Sequence, residues 1–161
     1  MNTEFLVSAL NNMGVPTKVN RARTASVLLG QASSFDNLVS LAFTTTDELS
    51  IKAAWILEWI CTHHGIEHIL DYLDFFCKNI SELKFNSAIR PCAKICEHLA
   101  VSYTSKKENP TKSYLTEKHI NSIVETCFDW LISDQKIAVM AYSVNTLYLL
   151  GLEKKWVHIE L

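Results

Sequence analysis

The densest group of potential metal ligands lies between Cys61 and His68, which include three histidines, one cysteine and one glutamate. Zinc takes such nitrogen and sulfur ligands, but the HExxH spacing that places two histidines and a base on one helical face is absent. Gly65 is also expected to end a helix between the candidates. Histidines in a last helical turn are favoured by the helix dipole alone. We therefore expect no metal site, and a metal-dependent enzyme at His63, His64 and His68 is the least favoured function.

Cys92 and Cys96 lie four residues apart on one predicted helix, close to His98. This spacing suggests a redox pair or half of a metal site. However, side chains four residues apart on a helix have Cβ atoms about 5 to 6 Å apart, beyond the usual disulfide range. Both thiols also fall on an apolar stripe with Ile95 and Leu99. We therefore expect them to be buried and reduced.

The compartment is indicated by the cysteines and by the first residues. The chain has five cysteines, an odd number without CxxC spacing, which favours reduced thiols and a cytoplasmic location. The run from Met1 to Ser8 contains an acid and no base, unlike a secretory signal. Since no run of about 18 apolar residues occurs, we expect no membrane span.

A ribbon of polar and aromatic side chains recurs on three predicted helices. Each helix has a carboxylate or amide near its middle and a base one or two turns earlier, and neighbouring copies are expected to pair. Glu58 is either an acid–base group or the polar position of an inner helix. Trp55 and Trp59 are either core residues or interface anchors. The candidate binding residues are Lys52, Trp55, Glu58, Trp59, Arg90, Glu97, Lys136 and Asn145.

No arrangement typical of nucleophilic or phosphoryl chemistry occurs in the sequence. It has neither a GxSxG elbow nor a glycine-rich phosphate loop, and its 4 glycines are too few for phosphate cradles. No serine or cysteine has histidine and acid partners in a supporting context. We therefore expect no catalytic residue, no cofactor and no enzymatic activity.

The composition predicts one folded domain over residues 1–161. Hydrophobic residues make up 48% and charged residues 20%, which excludes disordered and collagen-like chains. The 4 glycines and 3 prolines disfavour a turn-rich β-sandwich. With 15 Lys and Arg against 17 Asp and Glu, the net charge of −2 lacks the bulk positive charge of a general nucleic-acid binder.

Apolar residues recur at spacings of three and four almost throughout, which predicts an all-α chain. The polar segment 104–113 contains a proline and no period, so we expect a loop. The predicted helices, with ends good to about two to four residues, cover 2–13, 20–31, 35–44, 47–63, 66–78, 87–104, 116–132 and 134–151.

Several residues have the chemistry of helix ends. Side-chain oxygens accept from the free amides at a helix start, and a glycine in the left-handed conformation closes a helix. We expect Gly14, Gly65 and Gly151 to act in the second way. The expected caps are Asn20, Ser34, Asn86, Thr116 and Ser133, together with a capping box from Thr45 to Glu48.

Three predicted helices open alike, with a cap, an apolar residue beside a base, and then small residues. The copies are offset by 38 and 48 residues, close to the period of about 40 to 47 in HEAT and armadillo repeats. The stretches at Ile51-Lys52, Ile89-Arg90 and Ile137-Ala138 resemble HEAT-like repeats over about residues 45–151. The resemblance implies a right-handed α-α superhelix of stacked antiparallel helix pairs, with residues 1–44 as a divergent cap.

The run from Lys52 to the end also resembles a group of short bacterial proteins, HEAT-like in fold, that sometimes carry an adenylosuccinate lyase label. The mobile S-S-x-M-P-x-K-x-N-P loop of that lyase has no counterpart in this chain. The resemblance therefore implies the fold and not the lyase reaction.

The repeat pattern predicts a non-enzymatic protein–protein interaction or scaffold module whose concave face binds an unknown protein or peptide. The alternative is a DNA-binding or DNA-repair glycosylase of the HEAT-like kind, which would use a basic groove, aromatic side chains and a carboxylate. Only Lys18, Arg21 and Arg23 cluster as bases near the start, so nucleic acid is the less favoured partner. We expect a monomer or a weak homodimer.

The residues after Gly151 are rich in large apolar side chains. A terminal repeat needs its open apolar face covered, so we expect this tail to cover the last layer. The alternative is a free peptide that binds a partner. The side chains concerned are Trp156, Val157, Ile159 and Leu161.

Overall fold

The computed structural model describes residues 3–161, and every regular element within them is a helix. The all-α fold class is therefore confirmed, while the start of the first helix at residue 2 lies outside the described residues. Two 3₁₀ helices, Ile66–Tyr72 and Ile80–Glu82, flank the fifth α-helix. The α-helices are α1 Thr3–Asn12, α2 Lys18–Leu29, α3 Ser34–Ala42, α4 Leu49–His63, α5 Leu73–Asn79, α6 Asn86–Thr104, α7 Thr111–Tyr114, α8 Glu117–Ile132, α9 Ile137–Gly151 and α10 Lys155–Glu160.

A continuous hydrophobic cluster extends from Leu6 on α1 to Val157 on α10. Helix α6 contacts both α4 and α9, while α3 lies against α4 and α8 lies against α9. Ala54 on α4 and Ala93 on α6 are fully buried, and such small side chains permit close helix approach. Among residues 3–161, no helix is long and apolar enough to cross a membrane.

Contacts between α4 and α6 fix their relative direction. Lys94 Nζ lies 3.1 Å from Glu58 Oε1. One turn further along both helices, His98 Nε2 lies 3.1 Å from Thr62 Oγ1. Matching contacts that advance together on both helices require α4 and α6 to run in the same direction.

Helix α9 has the same direction as α6, and therefore as α4, because the ends of α6 and α9 both reach the start of α8. Ser102 Oγ, in the last turn of α6, lies 2.7 Å from Thr111 Oγ1 on α7, the short helix that leads into α8. Glu117 Oε1 lies 2.6 Å from the Nζ atom of Lys154, just after α9. The amino ends of α4, α6 and α9 therefore lie at the opposite edge of the molecule, called the amino edge below.

The start of α8 is capped by Thr116, as expected from the sequence. Its Oγ1 accepts a hydrogen bond from the His119 N–H at 3.4 Å, and its own N–H donates to His119 Nδ1 at 3.0 Å. This is a capping box with histidine in place of the usual glutamate. Since Nδ1 accepts a hydrogen bond, the ring proton is on Nε2 and points to Asp74.

The other expected caps are wrong, because the helices begin or end a few residues away from them. Asn20 lies inside α2, whose cap is Thr17: the Thr17 Oγ1 accepts from the Asn20 N–H at 3.2 Å. Ser34 and Asn86 are the first residues of α3 and α6, and neither caps its helix. Ser133 follows α8 and does not precede α9 directly.

The start of α4 is held by Asp47 and not by a capping box from Thr45 to Glu48. Asp47 Oδ1 accepts a hydrogen bond from the Leu49 N–H at 2.9 Å, while Glu48 makes no side-chain capping bond. A short acidic side chain can bond the backbone two residues ahead, which replaces the longer-range box.

The three glycines at helix ends have two different roles. Gly14 and Gly65 have φ angles of 68° and 118°, which side chains rarely adopt, and they close helices as expected. Gly151 is instead the last residue of α9, and a Cβ there would lie 2.1 Å from His158 Cδ2. The expected left-handed cap at Gly151 is wrong, since this glycine permits the close approach of α10.

Two other segments differ from the sequence expectations. The predicted helix 66–78 is a 3₁₀ helix followed by α5. The expected loop 104–113 turns into α7 at Thr111, which is buried and accepts a hydrogen bond from Ser102 Oγ at 2.7 Å. Asn109 Nδ2 also donates to the Ser102 carbonyl at 2.8 Å, so this loop is tied to the end of α6.

The tail after Gly151 covers less of the last layer than expected. Val157 on α10 is fully buried. His158 stacks on the Tyr148 ring, and its Nε2 lies 2.8 Å from the Tyr148 carbonyl oxygen. Helix α10 is thus held by one valine and one histidine. The other apolar side chains remain exposed, and they are Trp156, Ile159 and Leu161.

The cysteines are buried free thiols, as expected. Burial raises the pKa values of Cys77 and Cys92 to about 12, and it raises the pKa of Cys61 further. These thiols are therefore protonated and unreactive at neutral pH. The five buried residues are Cys61, Cys77, Cys92, Cys96 and Cys127.

Candidate functional site on the α4, α6 and α9 helices

The inner face is the side of α4, α6 and α9 that α3 and α8 leave uncovered. Its exposed and half-buried positions recur every three or four residues, which keeps them on one side of each helix. The face continues at one end onto α2. Its positions are Lys52, Trp55, Trp59 and His63 on α4; Arg90, Lys94, Glu97 and Val101 on α6; and Ile137, Met140, Ala141, Val144 and Tyr148 on α9.

Two tryptophans of the inner face are covered by arginine side chains. The Arg21 guanidinium carbon lies 5.1 Å from the Trp55 ring centre and 5.0 Å from the Trp59 ring centre. Arg90 lies 5.7 Å from the Trp55 ring centre, so cations from α2 and α6 share this indole. Each such contact stabilises by about 0.5 to 1 kcal/mol at exposed sites. The His63 ring packs on Trp59 at a tilt of 36°, with ring centres 3.9 Å apart.

Glu58 lies inside the contact between α4 and α6, with 4% of its surface exposed. Its Oε1 pairs with Lys94 Nζ at 3.1 Å, and its Oε2 accepts from Thr62 Oγ1 at 3.2 Å. Because the Thr62 hydroxyl proton points to Glu58, the same oxygen accepts from His98 Nε2. Both Glu58 oxygens are engaged, so this residue links helices and is not free for a partner.

The imidazole of His98 belongs to the same network. Burial lowers its pKa, and the positive charge of Lys94 lowers it further. The carboxylates of Glu58 and Glu97 oppose this shift, and His63 adds to it. The ring is therefore held neutral at neutral pH, as a hydrogen-bond donor to Thr62.

Glu97 and Asn145 join α6 to α9. Asn145 Nδ2 donates to Glu97 Oε2 at 3.1 Å. The expected pairing of neighbouring copies therefore occurs at these two residues, whereas Glu58 pairs with Lys94, which the sequence did not single out. Both carboxylates of the inner face, Glu58 and Glu97, are engaged by side chains of the neighbouring helix.

The α9 stripe consists of Ile137, Met140, Val144 and Tyr148 and is the most apolar part of the inner face. Ile137 is 85% exposed, Val144 44% and Tyr148 54%. With Leu161, these residues line an open, almost wholly apolar groove of about 660 Å³. Their spacing of three and four residues keeps them on one side of the helix. Within residues 3–161, His158 on α10 stacks on Tyr148 at one end of the stripe, while Ile137, Met140 and Val144 stay exposed.

The amino edge has three cations near the starts of α4, α6 and α9, of which Arg90 lies over Trp55. Lys52 and Arg90 lie in the first turns of α4 and α6, and Lys136 directly precedes α9. Within residues 3–161, none of the three makes an ion pair. The exposed acids Asp47 and Glu48 directly precede α4, and Asp134 lies two residues before Lys136, so charges of both signs meet at this edge.

The histidine-rich segment forms no metal site in the described part of the chain. Cys61 points into the core, while His63 packs on Trp59. His64 and His68 line an open pocket beside the 3₁₀ helix. The candidate ligands separate because Gly65 ends α4 with a positive φ.

The inner face therefore combines three parts. Arginines cover the pair Trp55 and Trp59. The α9 stripe is open and apolar, and the buried polar network between α4 and α6, called the seam below, consists of Glu58, Thr62, Lys94 and His98. No protein family, curated protein or solved structure matches this chain. The function is accordingly inferred from the contacts and charges of this face.

The sequence did not identify Arg21, Lys94 or the α9 stripe as parts of the site. In the sequence, Arg21 is one of three bases near the start of the chain, with Lys18 and Arg23. The stripe was hidden because α9 is apolar on nearly all sides, so no polar side distinguished the exposed positions. One signal in the sequence could have revealed the stripe. Helix α9 has more apolar residues than a helix that buries only one side requires.

Proposed function

We propose that this chain is a non-enzymatic interaction module of the cytoplasm that binds a partner protein on its inner face. The observation that carries the proposal is the α9 stripe, whose large apolar side chains are exposed along one side of a helix. Apolar surface gains about 25 cal/mol per Å² on burial, and contiguous exposed patches of this kind mark interaction surfaces. The buried reduced thiols support the cytoplasmic location.

The proposed frame is a right-handed stack of antiparallel helix pairs, as in HEAT repeats. It is supported by the common direction of α4, α6 and α9, which lie side by side as inner helices of such a stack do. Helices α3 and α8 lie against α4 and α9 as their outer partners. Stacked repeats offer their inner helices as one extended binding surface.

The aromatic end of the inner face has the composition of an interface centre. Tryptophan, tyrosine and arginine are enriched among the residues that dominate binding energies. Here Trp55 and Trp59 are half-buried and held in place by Arg21 and Arg90. Such pre-organised side chains bind at a lower entropic cost than mobile ones.

The proposal predicts that Val144→Asp strongly reduces capture of the natural partner. The aspartate places a charge in the apolar groove, and loss of one buried valine contact corresponds to about a tenfold weaker complex. Because Val144 is already 44% exposed, the melting temperature is expected to stay unchanged. The measurement is quantitative affinity capture from the native cell, with purified variants checked by thermal melting.

Val19→Asp is the matched control, because Val19 on α2 is 72% exposed and lies outside the inner face. It makes the same chemical change and should leave capture unaltered. Equal losses with both variants, or full capture with Val144→Asp, would contradict the proposed surface.

A DNA-binding or DNA-repair glycosylase function is the second candidate, favoured by the stacking of Arg21 and Arg90 on Trp55. Cationic and aromatic groups together bind nucleic-acid backbones and bases. Glu58, the carboxylate between Trp55 and Trp59 on α4, is buried and bonded to Lys94, so it is not free to act in such an enzyme. An electrophoretic shift of duplex DNA that Arg90→Glu abolishes and Val144→Asp leaves intact would favour this candidate.

A further inference from the structure

We propose that His119 is a pH-sensitive switch at the start of α8. Protonation of its Nδ1 atom releases the Thr116 N–H from the capping box and turns the hydrogen bond to Asp74 on α5 into an ion pair. Because α8 lies outside the inner face, this inference does not depend on the proposed function.

The neutral His119 ring holds two elements together. Its Nδ1 accepts from the Thr116 N–H at 3.0 Å, and its Nε2 lies 2.5 Å from Asp74 Oδ1. The residue is only 7% exposed, so the protein supplies these partners in place of water. Since each ring nitrogen has one partner, a single tautomer satisfies both the capping box and the bridge to α5.

A second proton on the ring does not fit this arrangement. It must go to Nδ1, because Nε2 already carries a proton, and Nδ1 then faces another donor, the Thr116 N–H. The acceptor beside the new proton is Thr116 Oγ1, 3.1 Å from Nδ1, which already accepts from the His119 N–H at 3.4 Å. Protonation therefore leaves the Thr116 N–H without its acceptor.

The residue type at position 119 makes the switch possible. A capping box usually has Glu or Gln at this position, and neither changes its bonding near neutral pH. Histidine is the side chain that changes charge between about pH 5 and pH 8. The cap of α2 offers a comparison, because Thr17 accepts from the Asn20 N–H and no histidine takes part.

Charges of both signs surround the His119 ring. The titratable groups in the clefts on its two sides are Asp71, Asp74, Cys77, Lys78, Tyr114 and Lys118. Glu117, the preceding residue on α8, is paired with Lys154. The hydrogen bond from His119 lowers the pKa of the Asp74 carboxyl, and the charge of the ring lowers it further. Asp74 is therefore ionised throughout the range in which histidine titrates.

The charged ring is drawn from the cap toward α5. The start of α8 has a partial positive charge of about half a unit, which repels an imidazolium. The Asp74 side chain is 96% exposed, so it has room to follow the ring. At low pH we therefore expect an open first turn of α8, with the bridge to α5 kept.

The test is nuclear magnetic resonance of the nitrogen-15-labelled full chain between about pH 8 and pH 5. At the upper end, His119 should have its proton on Nε2. As the ring is protonated, hydrogen exchange of the Thr116 amide should rise by roughly two- to tenfold beyond the intrinsic effect of pH. The Asn20 amide at the start of α2 is the internal control and should show no such change.

Two variants separate the parts of the switch. In His119→Gln the side chain can still accept from the Thr116 N–H but does not titrate, so the exchange of this amide should no longer depend on pH beyond the intrinsic effect. Asp74→Asn keeps an acceptor for Nε2 and removes the charge. The ring and amide transitions should then move together to lower pH. Circular dichroism checks that both variants fold.

Several results would overturn the switch. One is a proton on Nδ1 at pH 8, or a ring that stays neutral down to about pH 5. Another is a Thr116 amide whose exchange does not follow protonation of the ring, or follows pH equally in His119→Gln. An equal rise at Asn20 would assign the change to unfolding of the whole chain and would also overturn it.

Discussion

At the scale of single residues, Glu58 shows how a charged side chain is accommodated between two helices. Removing a carboxylate from water is costly unless its oxygens are bonded. Here one oxygen pairs with Lys94 and the other accepts from Thr62. The seam between α4 and α6 therefore depends on a complete network, and breaking one link leaves groups without partners.

We expect Glu58→Gln to destabilise the fold by about 1 to 3 kcal/mol. The amide keeps the shape and can still bond Thr62, but it leaves the Lys94 ammonium, whose side chain is 30% exposed, without its counter-charge. Urea unfolding followed by circular dichroism measures the change. Its control is Lys112→Gln, which breaks the pair with the 94% exposed Glu108 side chain and should cost less than about 1 kcal/mol. Equal costs would show that the pair of Glu58 and Lys94 stabilises the fold no more than the exposed pair of Lys112 and Glu108 does.

The lowered pKa of His98 predicts a dependence of stability on pH. Unfolding restores the histidine pKa to about 6.5, whereas burial and Lys94 hold it lower in the folded state. Below about pH 6.5 the unfolded chain therefore binds more protons, and stability falls as pH drops until the folded pKa is passed. Urea unfolding between about pH 8 and pH 5 should show this loss, and His98→Gln should reduce it. The same loss in the variant would assign it to other groups.

The residues of the seam could be anticipated only in part. Glu58 stands out in the sequence because it is a lone acid in an apolar run. Its partner Lys94 and the link through Thr62 to His98 depend on how α4 and α6 are aligned along each other. Residue types and spacings within one helix do not fix that alignment.

At the scale of helices, the sequence predicts where most helices lie but not which residues cap them. The apolar period places most helices within a few residues because it reflects which side each helix buries. A cap depends on the exact first residue of the helix. Asn20 therefore falls inside α2 beside the true cap, Thr17, while Thr116 at the start of α8 is correct.

Gly151→Ala should detach α10 from α9. The added methyl group would lie 2.1 Å from His158 Cδ2, so the ring must leave its stack on Tyr148 and expose the buried Val157. We expect a cost of about 1 to 3 kcal/mol and a change in Trp156 fluorescence. Thermal melting and limited proteolysis of the tail measure the effect.

Gly30→Ala is the control for this variant. Its added methyl group would lie 3.5 Å from the Val27 carbonyl oxygen, which is ordinary contact, and the Gly30 backbone is helical. Alanine should therefore be neutral or stabilise by up to about 1 kcal/mol. An unchanged tail in Gly151→Ala would mean that α10 adjusts without leaving α9.

At the scale of the whole molecule, the distribution of charge matters more than its sum. The net charge of −2 does not show that Lys52, Arg90 and Lys136 share the amino edge with the exposed acids Asp47, Glu48 and Asp134. Their common edge follows from the parallel direction of α4, α6 and α9, which arises only in the folded chain. Charges that lie far apart in the sequence are therefore brought to one edge of the molecule.

The position of α10 bears on why the α9 stripe is exposed. Helices α6, α8 and α10 all contact α9. Val157 is buried where α10 meets α9, yet Ile137 and Val144 stay open to solvent. The tail meets the stripe at one end, because His158 on α10 stacks on Tyr148 and Leu161 lines the same groove, so the open part of the stripe is Ile137, Met140 and Val144. It belongs to the same side as Trp55 and Arg90, which makes a ligand that extends across all three inner helices the arrangement most consistent with the structure.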